Sequence, residues 1–305
     1  MDGRLIAGAY SGYAMAGGLV IVIAILICAL GTHHLIPKLK LPPDNGPFTF
    51  RRLNEDFRDA FSNRAFLTLI VSILTASTAV GLTDALGLYV NTYFWEFTTQ
   101  QLSLTVLGGL AGTVGAFVLT APLTARFDKR SMALATLAVI VFVGPLPVLL
   151  RLVDLMPANG HPSLIWIIVA HVTIIVFVAV SIGIVVGSMI ADTIDQNDLR
   201  TGKRQEGMFN AALGFTAKAT SGLGGFVAGI TLDLINFPTG AKPGEVPPET
   251  IYKLGLVVGP GILIFWLAAL ALMRNYRLTR EDHRQVIFEI NERDRKKADL
   301  DAAFE

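Results

Sequence analysis

The chain has 305 residues, of which 52% are hydrophobic and 16% are charged, and its mean hydropathy is +0.57. This composition excludes an ordinary soluble globular domain and predicts an integral membrane protein. The formal net charge of +1 gives no reason to expect a nucleic-acid partner, and the lone cysteine, Cys28, excludes an intramolecular disulfide and a thiolate zinc site. The sequence has no phosphate-binding or zinc-protease motif, so we expect neither an enzyme nor a metal or cofactor.

Seven apolar segments reach the length of about 20 residues that a membrane-spanning helix needs. They cover approximately residues 14–36, 66–92, 102–125, 131–152, 163–190, 208–236 and 254–273. The first segment begins too far along the chain and runs too long for a signal peptide, so we interpret it as a retained span. The segments predict an all-α membrane protein with seven transmembrane helices.

Basic residues concentrate in alternate connections between these segments. Four stretches hold 20 of the 25 Lys and Arg residues, namely 37–65, 126–130, 192–206 and 274–305. Basic residues favour the cytoplasmic side of a membrane, so these stretches and the C-terminus are predicted to be cytoplasmic. Seven spans then place the N-terminus on the outer face, as expected for a chain that lacks an odd number of preceding spans.

Pairs of glycines four residues apart occur in three of the predicted spans. They are Gly108 and Gly112, Gly183 and Gly187, and Gly225 and Gly229. Glycines at this spacing permit two helix backbones to approach closely inside a membrane. The three pairs therefore predict a tightly packed helix bundle.

The long connection after the first span contains two kinds of segment. Proline and glycine pairs between residues 42 and 47 indicate an extended linker. Phe50, Leu53, Phe57 and Phe61 then recur at helical spacing. This stripe predicts an amphipathic helix on the cytoplasmic membrane surface, and a solvated linker is the alternative.

A concentration of charge separates the fifth and sixth spans. If the fifth helix continues past the apolar segment, Asp192, Asp195 and Asp198 share one of its faces. Lys203 and Arg204 follow closely, and Glu206 stands where the positive end of the next helix dipole begins. Two interpretations remain open: a solvated loop, or a charge network that locks and releases the ends of helices.

Lys218 is a cation within the sixth predicted span. It lies 11 residues after Gly207, which corresponds to about 16 Å of helix and to a position near the middle of the bilayer. A charge at that depth needs a polar cavity or a carboxylate. The lysine is therefore either a ligand-contacting residue or one member of a structural ion pair.

The second predicted span carries Asp84, which is the candidate partner of Lys218. Tyr89, Asn91 and Tyr93 follow it and suggest a polar path. Alternatively, Asp84 lies close enough to the outer surface to be hydrated. His171, in the fifth span, is expected to be a hydrogen-bonded core residue rather than a proton carrier.

The spacing of charged and small residues after the fifth span matches that of a known family. The matching residues are Ala191, Asp192, Asp195, Asp198, Gly202, Arg204, Glu206, Gly207 and Lys218. Together with residues 123–130 and 276–283, this block resembles the glycoside-pentoside-hexuronide:cation symporters, the melibiose permease-like branch of the major facilitator superfamily. The family usually has Glu where Asp198 stands, which keeps the charge.

The resemblance covers nearly the whole chain and implies symport of a sugar or glycoside with a coupling cation, Na⁺ or H⁺, across the plasma (inner) membrane. It implies the fold of helices 6–12 of a twelve-helix protein, which is the C-terminal half plus one preceding helix. The candidate substrate and cation site comprises Lys218, Asp84 and Tyr89. The candidate cytoplasmic gate comprises Asp192, Asp195, Asp198, Arg204 and Glu206.

This alignment divides the chain into four regions. They are an outer-face N-terminus with the first transmembrane helix (1–36), a cytoplasmic linker with the amphipathic helix (37–65), a six-helix transporter domain (66–273) and a cytoplasmic tail (274–305). Alternating access needs two halves that rock around one site. We therefore expect a truncated chain, or one that works with a separately encoded N-terminal half. The alternative is a non-transporting half-bundle that binds a partner protein or lipid.

Overall fold

The computed structural model describes residues 7–38, 49–238 and 240–304, which form helices and no strands. The chain divides into two compact units, Met1–Phe50 and Arg51–Glu305. In the first unit, helix α1 (Ala7–Thr32) continues into a 3₁₀ turn at His33–Lys38. The predicted extended linker at residues 42–47 lies outside the described residues.

The second unit contains the remaining helices, of which the first, at the stripe of phenylalanines, has its first residue, Phe50, assigned to the first unit. They are α2 (Phe50–Ser62), α3 (Arg64–Tyr89), α4 (Thr99–Arg126), α5 (Lys129–Val143), α6 (Leu146–Leu152), α7 (Pro162–Thr201), α8 (Glu206–Leu234), α9 (Pro248–Leu256), α10 (Ile262–Met273) and α11 (Arg280–Phe304). A π-helical turn extends α3 from Val90 to Phe94, and another joins α9 to α10 at Val257–Gly261.

Six helical segments of the described chain are long and apolar enough to cross a membrane. They are Ala14–Pro37, Arg64–Phe94, Thr99–Arg126, Lys129–Leu152, Pro162–Thr201 and Pro248–Met273. The all-α membrane architecture is therefore confirmed. Helix α8, the sixth predicted span, has 29 residues and is also long enough, but Lys218, threonines and glycines lower its hydropathy. Its crossing of the membrane stays a prediction.

Close helix contacts form at some of the glycines. A Cβ atom at Gly224 of α8 would lie 2.6 Å from the carbonyl carbon of Gly81 in α3, so the two backbones touch where both residues lack side chains. A Cβ atom at Gly108 of α4 would lie 2.9 Å from the carbonyl oxygen of Val169 in α7, and one at Gly112 would lie closer still to the carbonyl oxygen of Thr173. The other two predicted glycine pairs, on α7 and α8, have open space around them. Among the residues that the structure describes, one of the three pairs therefore marks a close helix contact.

The predicted fourth span is broken into α5 and α6 by Gly144 and two prolines. Pro147 has no N–H, so it cannot donate the helical hydrogen bond to the carbonyl of Val143. The Nε2 atom of His171 on α7 lies 3.0 Å from that carbonyl oxygen and 3.1 Å from the carbonyl oxygen of Gly144. Because both partners only accept, Nε2 carries the hydrogen. His171 is thus a hydrogen-bonded core residue that stabilises the break.

One end of the bundle, which we call the charged end, brings together the starts of α3, α5, α8 and α11 and the end of α7. Beneath it lies an apolar core in which the rings of Phe66 (α3) and Phe209 (α8) have centroids 4.0 Å apart. Tyr276, between α10 and α11, is fully buried in the same core, and its hydroxyl lies 3.5 Å from the carbonyl oxygen of Met189. This core fixes the position of the side chains at the charged end.

Candidate functional site

Helix α7 carries three aspartates on one face because it continues for 40 residues, beyond the apolar segment. Gly202 ends the helix in the left-handed conformation, with φ of +69°, and its N–H donates to the carbonyl of Asp198 at 2.8 Å. Asp192 and Asp198 are buried and Asp195 is half-buried. We call these three residues the acidic triad. Carboxylates this close to the interior need cationic or hydrogen-bonding partners.

The first partner of the acidic triad comes from the start of α5. Lys129 Nζ lies 2.7 Å from both carboxylate oxygens of Asp192. The side chain of the neighbouring Asp128 caps α5 by accepting from the backbone N–H of Arg130 at 3.0 Å. The ion pair therefore joins the start of α5 to the end of α7.

The second partner comes from the connection between α7 and α8. Arg204 Nη1 lies 3.2 Å from Asp195 Oδ1, and its Nε donates to Glu206 Oε1 at 2.5 Å. The hydrogen bond to Glu206 and the charge of Asp195 raise the pKa of Arg204 above its usual value. Glu206 lies in the first turn of α8, where its charge complements the helix dipole. Lys203, in contrast, has its ammonium 3.4 Å from Asp59 of α2.

The remaining partners come from α11 in the tail. His283 Nε2 lies 3.1 Å from Asp195 Oδ2 and 3.5 Å from Asp192 Oδ1. Arg293 donates to both carboxylate oxygens of Asp198, at 3.2 and 3.4 Å, and to its carbonyl oxygen at 3.1 Å. These bonds to Asp198 raise the pKa of Arg293. Helix α11 thus contacts all three members of the acidic triad.

The start of α11 is fixed by bonds of its own. Thr279 and Asp282 form a capping arrangement, in which the Asp282 carboxylate accepts from the Thr279 N–H at 2.8 Å and the Asp282 N–H donates to the Thr279 hydroxyl at 3.2 Å. These bonds to Thr279 lower the pKa of Asp282. The Arg280 N–H donates to Asp128 Oδ1 at 3.1 Å, and its guanidinium donates to the carbonyls of Thr124, Ala125 and Phe127. The two shorter stretches that carry the family resemblance are therefore in direct contact.

His283 and Arg293 were missed by sequence reasoning. They are separated from their aspartate partners by 88 and 95 residues of chain, and no local spacing links groups so far apart. The one available signal was the Thr279-x-x-Asp282 pattern, which is typical of a helix start and predicts that the charged tail is helical. A helical tail with several cations is a natural partner for an acidic helix end.

The acidic triad and its partners form a clasp, by which we mean the ion-paired set of Asp192, Asp195, Asp198, Lys129, Arg204, Glu206, His283 and Arg293. It joins α5, α7, α11 and the start of α8 at a single point. Several of its cations are partly exposed, so water is able to replace their partners when helices separate. Chemically, such a set of ion pairs is suited to holding helix ends together.

The candidate substrate and cation residues occupy a different part of the bundle. Asp84 is exposed on α3 and lines an open cavity of about 490 Å³ together with Ala217 and Thr220 of α8. Lys218 is exposed on α8. Within the described residues, Asp84 and Lys218 form no ion pair or hydrogen bond with each other or with other side chains. The suggested pairing of Asp84 with Lys218 is therefore not formed in this structure.

Tyr89, the third candidate, belongs to an aromatic cluster at the end of α3. Its ring centroid lies 5.3 Å from that of Phe237 and 6.1 Å from that of Tyr93. The hydroxyl of Tyr93 donates to the carbonyl oxygen of Ala241 at 3.0 Å, which fixes the loop after α8. The structure thus places Tyr89 on the same helix as Asp84, five residues further along, and in contact with the aromatic cluster.

Comparison with known proteins identifies the family. A family described as "MFS/sugar transport protein" matches residues 3–280. The chain belongs to this family. Its relatives include the uncharacterised symporter sll1374 of Synechocystis, which is 30% identical over 82% of this chain and 45% of its own length. The glucuronide carrier protein homolog of Escherichia coli is 23% identical over 88% of this chain and 54% of its own length.

The same comparisons define how much of a relative this chain represents. The symporter YnaJ of Bacillus subtilis is 25% identical over 81% of this chain and 50% of its own length. The chain therefore spans about half the length of the curated relatives it matches. The resemblance to melibiose permease-like symporters of the major facilitator superfamily is confirmed at the level of the family.

Proposed function

We propose that this chain forms the C-terminal half, plus one preceding helix, of a symporter that couples the movement of Na⁺ or H⁺ to the uptake of a sugar or glycoside. The observation that carries the proposal is the match of residues 3–280 to a sugar-transport family, whose members among the relatives are named symporters. Because one relative is named a glucuronide carrier protein homolog, glycosides that carry a carboxylate are the first substrates to test.

The substrate and cation site of the proposed transporter contains Lys218, Asp84 and Tyr89. Asp84 and Lys218 are exposed charges whose immediate neighbours on α3 and α8 are uncharged, and neither has a bonded partner within the described chain. Charges facing lipid are unfavourable, so these side chains require a polar ligand or a facing protein surface. The cavity beside Asp84 supports a polar ligand at the surface shared by α3 and α8.

The clasp is the proposed cytoplasmic gate. Alternating access requires that contacts at one end of the bundle form in one state and break in the other. Ion pairs between helix ends whose cations are partly exposed suit this role because water and salt compete for the cations when the helix ends separate. In this proposal the gate comprises the five residues predicted from the sequence, Asp192, Asp195, Asp198, Arg204 and Glu206, together with their partners Lys129, His283 and Arg293.

The proposed orientation puts the charged end and the C-terminus in the cytoplasm of a cell whose plasma (inner) membrane holds the protein. The concentration of basic residues at that end supports it. Cysteine labelling tests it in a chain in which Cys28 is replaced by Ser. Glu96→Cys is expected to react with an impermeant maleimide in intact cells, and Glu289→Cys only after permeabilisation. The opposite pattern would reverse the orientation.

Gradient-driven uptake tests the function. Two preparations of lipid vesicles are compared. The first contains this chain alone, and the second contains a mixed pair, namely this chain together with the part of the Synechocystis relative that it does not match. We expect sugar accumulation that requires a Na⁺ or H⁺ gradient in the second preparation, and the relative expressed as two matching pieces serves as the control. Uptake by the control but not by the mixed pair would contradict the proposal and favour a half-bundle that binds a partner or lipid.

A further inference from the structure

A second polar cavity lies at the charged end, outside the clasp. It has a volume of about 770 Å³ and lies among the end of α2, the start of α3, the end of α7 and the segment that leads from α10 into α11. Its polar lining includes Asn63, Arg64, Gln196, Arg200, Arg277 and Asp282. Three arginines, Arg64, Arg200 and Arg277, thus line a single cavity, which we call the arginine cavity.

The charges of this arginine cavity are not neutralised within the described chain. The guanidinium groups of Arg64 and Arg277 have neither a hydrogen bond nor an ion pair with a described residue, and both side chains are exposed. Arg200 is fixed by donating to the carbonyl oxygen of Asp59 at 2.5 Å and to Asn197 Oδ1 at 3.0 Å. The cavity therefore combines one anchored arginine with two available ones.

The single carboxylate of the lining does not cancel this positive charge. Asp282 Oδ2 accepts from the N–H of Thr279 at 2.8 Å and from its hydroxyl at 2.7 Å, so it is committed to the start of α11. The amides add hydrogen-bond donors: Asn63 Nδ2 donates to Gln196 Oε1 at 3.2 Å, which leaves the NH₂ group of Gln196 without a partner in the described chain. The lining is a set of donors with a net positive charge.

We propose that the arginine cavity binds a phosphate group. A phosphate offers several acceptor oxygens and up to two negative charges, and the planar fork of guanidinium matches its geometry with paired hydrogen bonds. Bound there, the phosphate contacts α3, α7 and the segment before α11 at once. It therefore strengthens the attachment of α11 beside the clasp. The group comes either from an anionic phospholipid or from a soluble phosphate compound.

Thermal unfolding of the full 305-residue chain tests the site. The chain is purified in maltoside micelles, which contain no phosphate, and is titrated in one arm with inorganic phosphate and in the other with phosphatidylglycerol. Chloride at equal ionic strength corrects for general screening. The cavity variant is Arg64→Gln with Arg277→Gln, and the matched control is Arg295→Gln, which removes an exposed guanidinium of α11 that lies outside the cavity lining.

We expect a saturable rise in melting temperature for the wild type and for the Arg295 variant. Because two of three guanidinium contacts are lost, the half-maximal concentration is expected to rise about tenfold or more in the cavity variant. Arg277→Lys keeps the positive charge but loses the planar guanidinium, so its half-maximal concentration should fall between those of the wild type and the cavity variant. A response to phosphate identifies a soluble source, and one to phosphatidylglycerol alone identifies a lipid source. Equal responses of wild type and cavity variant in both arms, or no response in either, would overturn the proposal.

Discussion

The ammonium of Lys129 lies 2.7 Å from each carboxylate oxygen of Asp192, although the two residues are 63 positions apart. The Asp192 side chain retains 10% of its exposure and the Lys129 side chain 27%, so the pair is more shielded from water than an ordinary surface ion pair. Shielding strengthens the attraction between the charges and also makes either charge costly when it stands alone. The clasp depends on this pair for its link to α5.

Lys129→Met is expected to destabilise the chain because it leaves the Asp192 carboxylate without its main cation. We expect a loss of about 2 kcal/mol in unfolding free energy, with His283 compensating in part. Chemical unfolding of the purified chain measures it. Breaking the exposed pair of Arg51 and Glu55 by Arg51→Gln is the matched control and is expected to cost less than about 0.5 kcal/mol. Equal losses of unfolding free energy in both variants would show that the pair of Lys129 and Asp192 stabilises the chain no more than an exposed ion pair does.

Arg293→Gln is expected to release the outer part of α11 from the bundle. Arg293 alone makes three hydrogen bonds to Asp198, with the carboxylate and the carbonyl both engaged. Amide hydrogen exchange of residues 284–296 should increase about tenfold or more, which corresponds to the loss of roughly 1.5 kcal/mol of local stability. Arg295→Gln, two residues further on the same helix, should leave exchange unchanged. Faster exchange in both variants would assign the effect to net charge.

The start of α11 should respond to pH through Asp282. Hydrogen bonds from Thr279 lower the pKa of this carboxyl below its usual value of 3.8. A lowered pKa in the folded state means that the capping contribution is complete above about pH 4 and disappears as the pH falls through the folded-state pKa. Asp282→Ala should therefore increase amide exchange at residues 283–287 near neutral pH. The difference from wild type should shrink below pH 3.8.

The control for the Asp282 variant is Glu281→Ala, which removes the adjacent carboxylate of the same first turn. Among the described residues, Glu281 forms an ion pair with Arg284 alone, at 3.3 Å, and both side chains are well exposed. Its removal should have little effect on the start of α11 at any pH. A pH-independent difference between Asp282→Ala and wild type would show that the carboxylate charge does not cap the helix.

The crossing of α3 and α8 gives a test that compares adjacent residues. A Cβ atom at Gly224 would lie 2.6 to 2.7 Å from backbone atoms of Gly81, whereas one at Gly225 would meet nothing within 4 Å. Gly224→Ala should therefore push the helices apart and destabilise the chain by roughly 2 kcal/mol. Gly225→Ala should be neutral or slightly stabilising because alanine favours helix. Similar melting temperatures for the two variants would contradict the tight crossing.

The sequence predicted the helices more completely than it predicted the contacts between them. Long apolar runs predicted the membrane helices because length and hydropathy are local properties, and the i, i+3 spacing of Asp192 and Asp195 placed them on one face once α7 continued. The partners of these acids were not accessible in the same way. His283 is brought to them by the return of the tail across the bundle, and Gly81 meets Gly224 without belonging to any glycine pair. Such contacts follow from packing, which spacing along one helix does not encode.

Lys218→Leu is the variant that separates a ligand-contacting lysine from a structural one. Lys218 is exposed and has no bonded partner in the described chain, so its removal should leave insertion and melting temperature close to those of wild type. In the vesicle preparation that accumulates sugar, however, we expect uptake to fall about a hundredfold, since a charged contact with the substrate or coupling site contributes on the order of 3 kcal/mol.

Two further variants make the Lys218 result decisive. Lys218→Arg keeps the positive charge and should retain part of the uptake, because charge compensation within the membrane survives while the fit to the ligand changes. Lys242→Leu removes an exposed lysine from the loop after α8 and should transport as wild type does. Normal uptake by Lys218→Leu would remove the lysine from the proposed site. A loss of insertion in that variant would assign the lysine to the packing of the bundle.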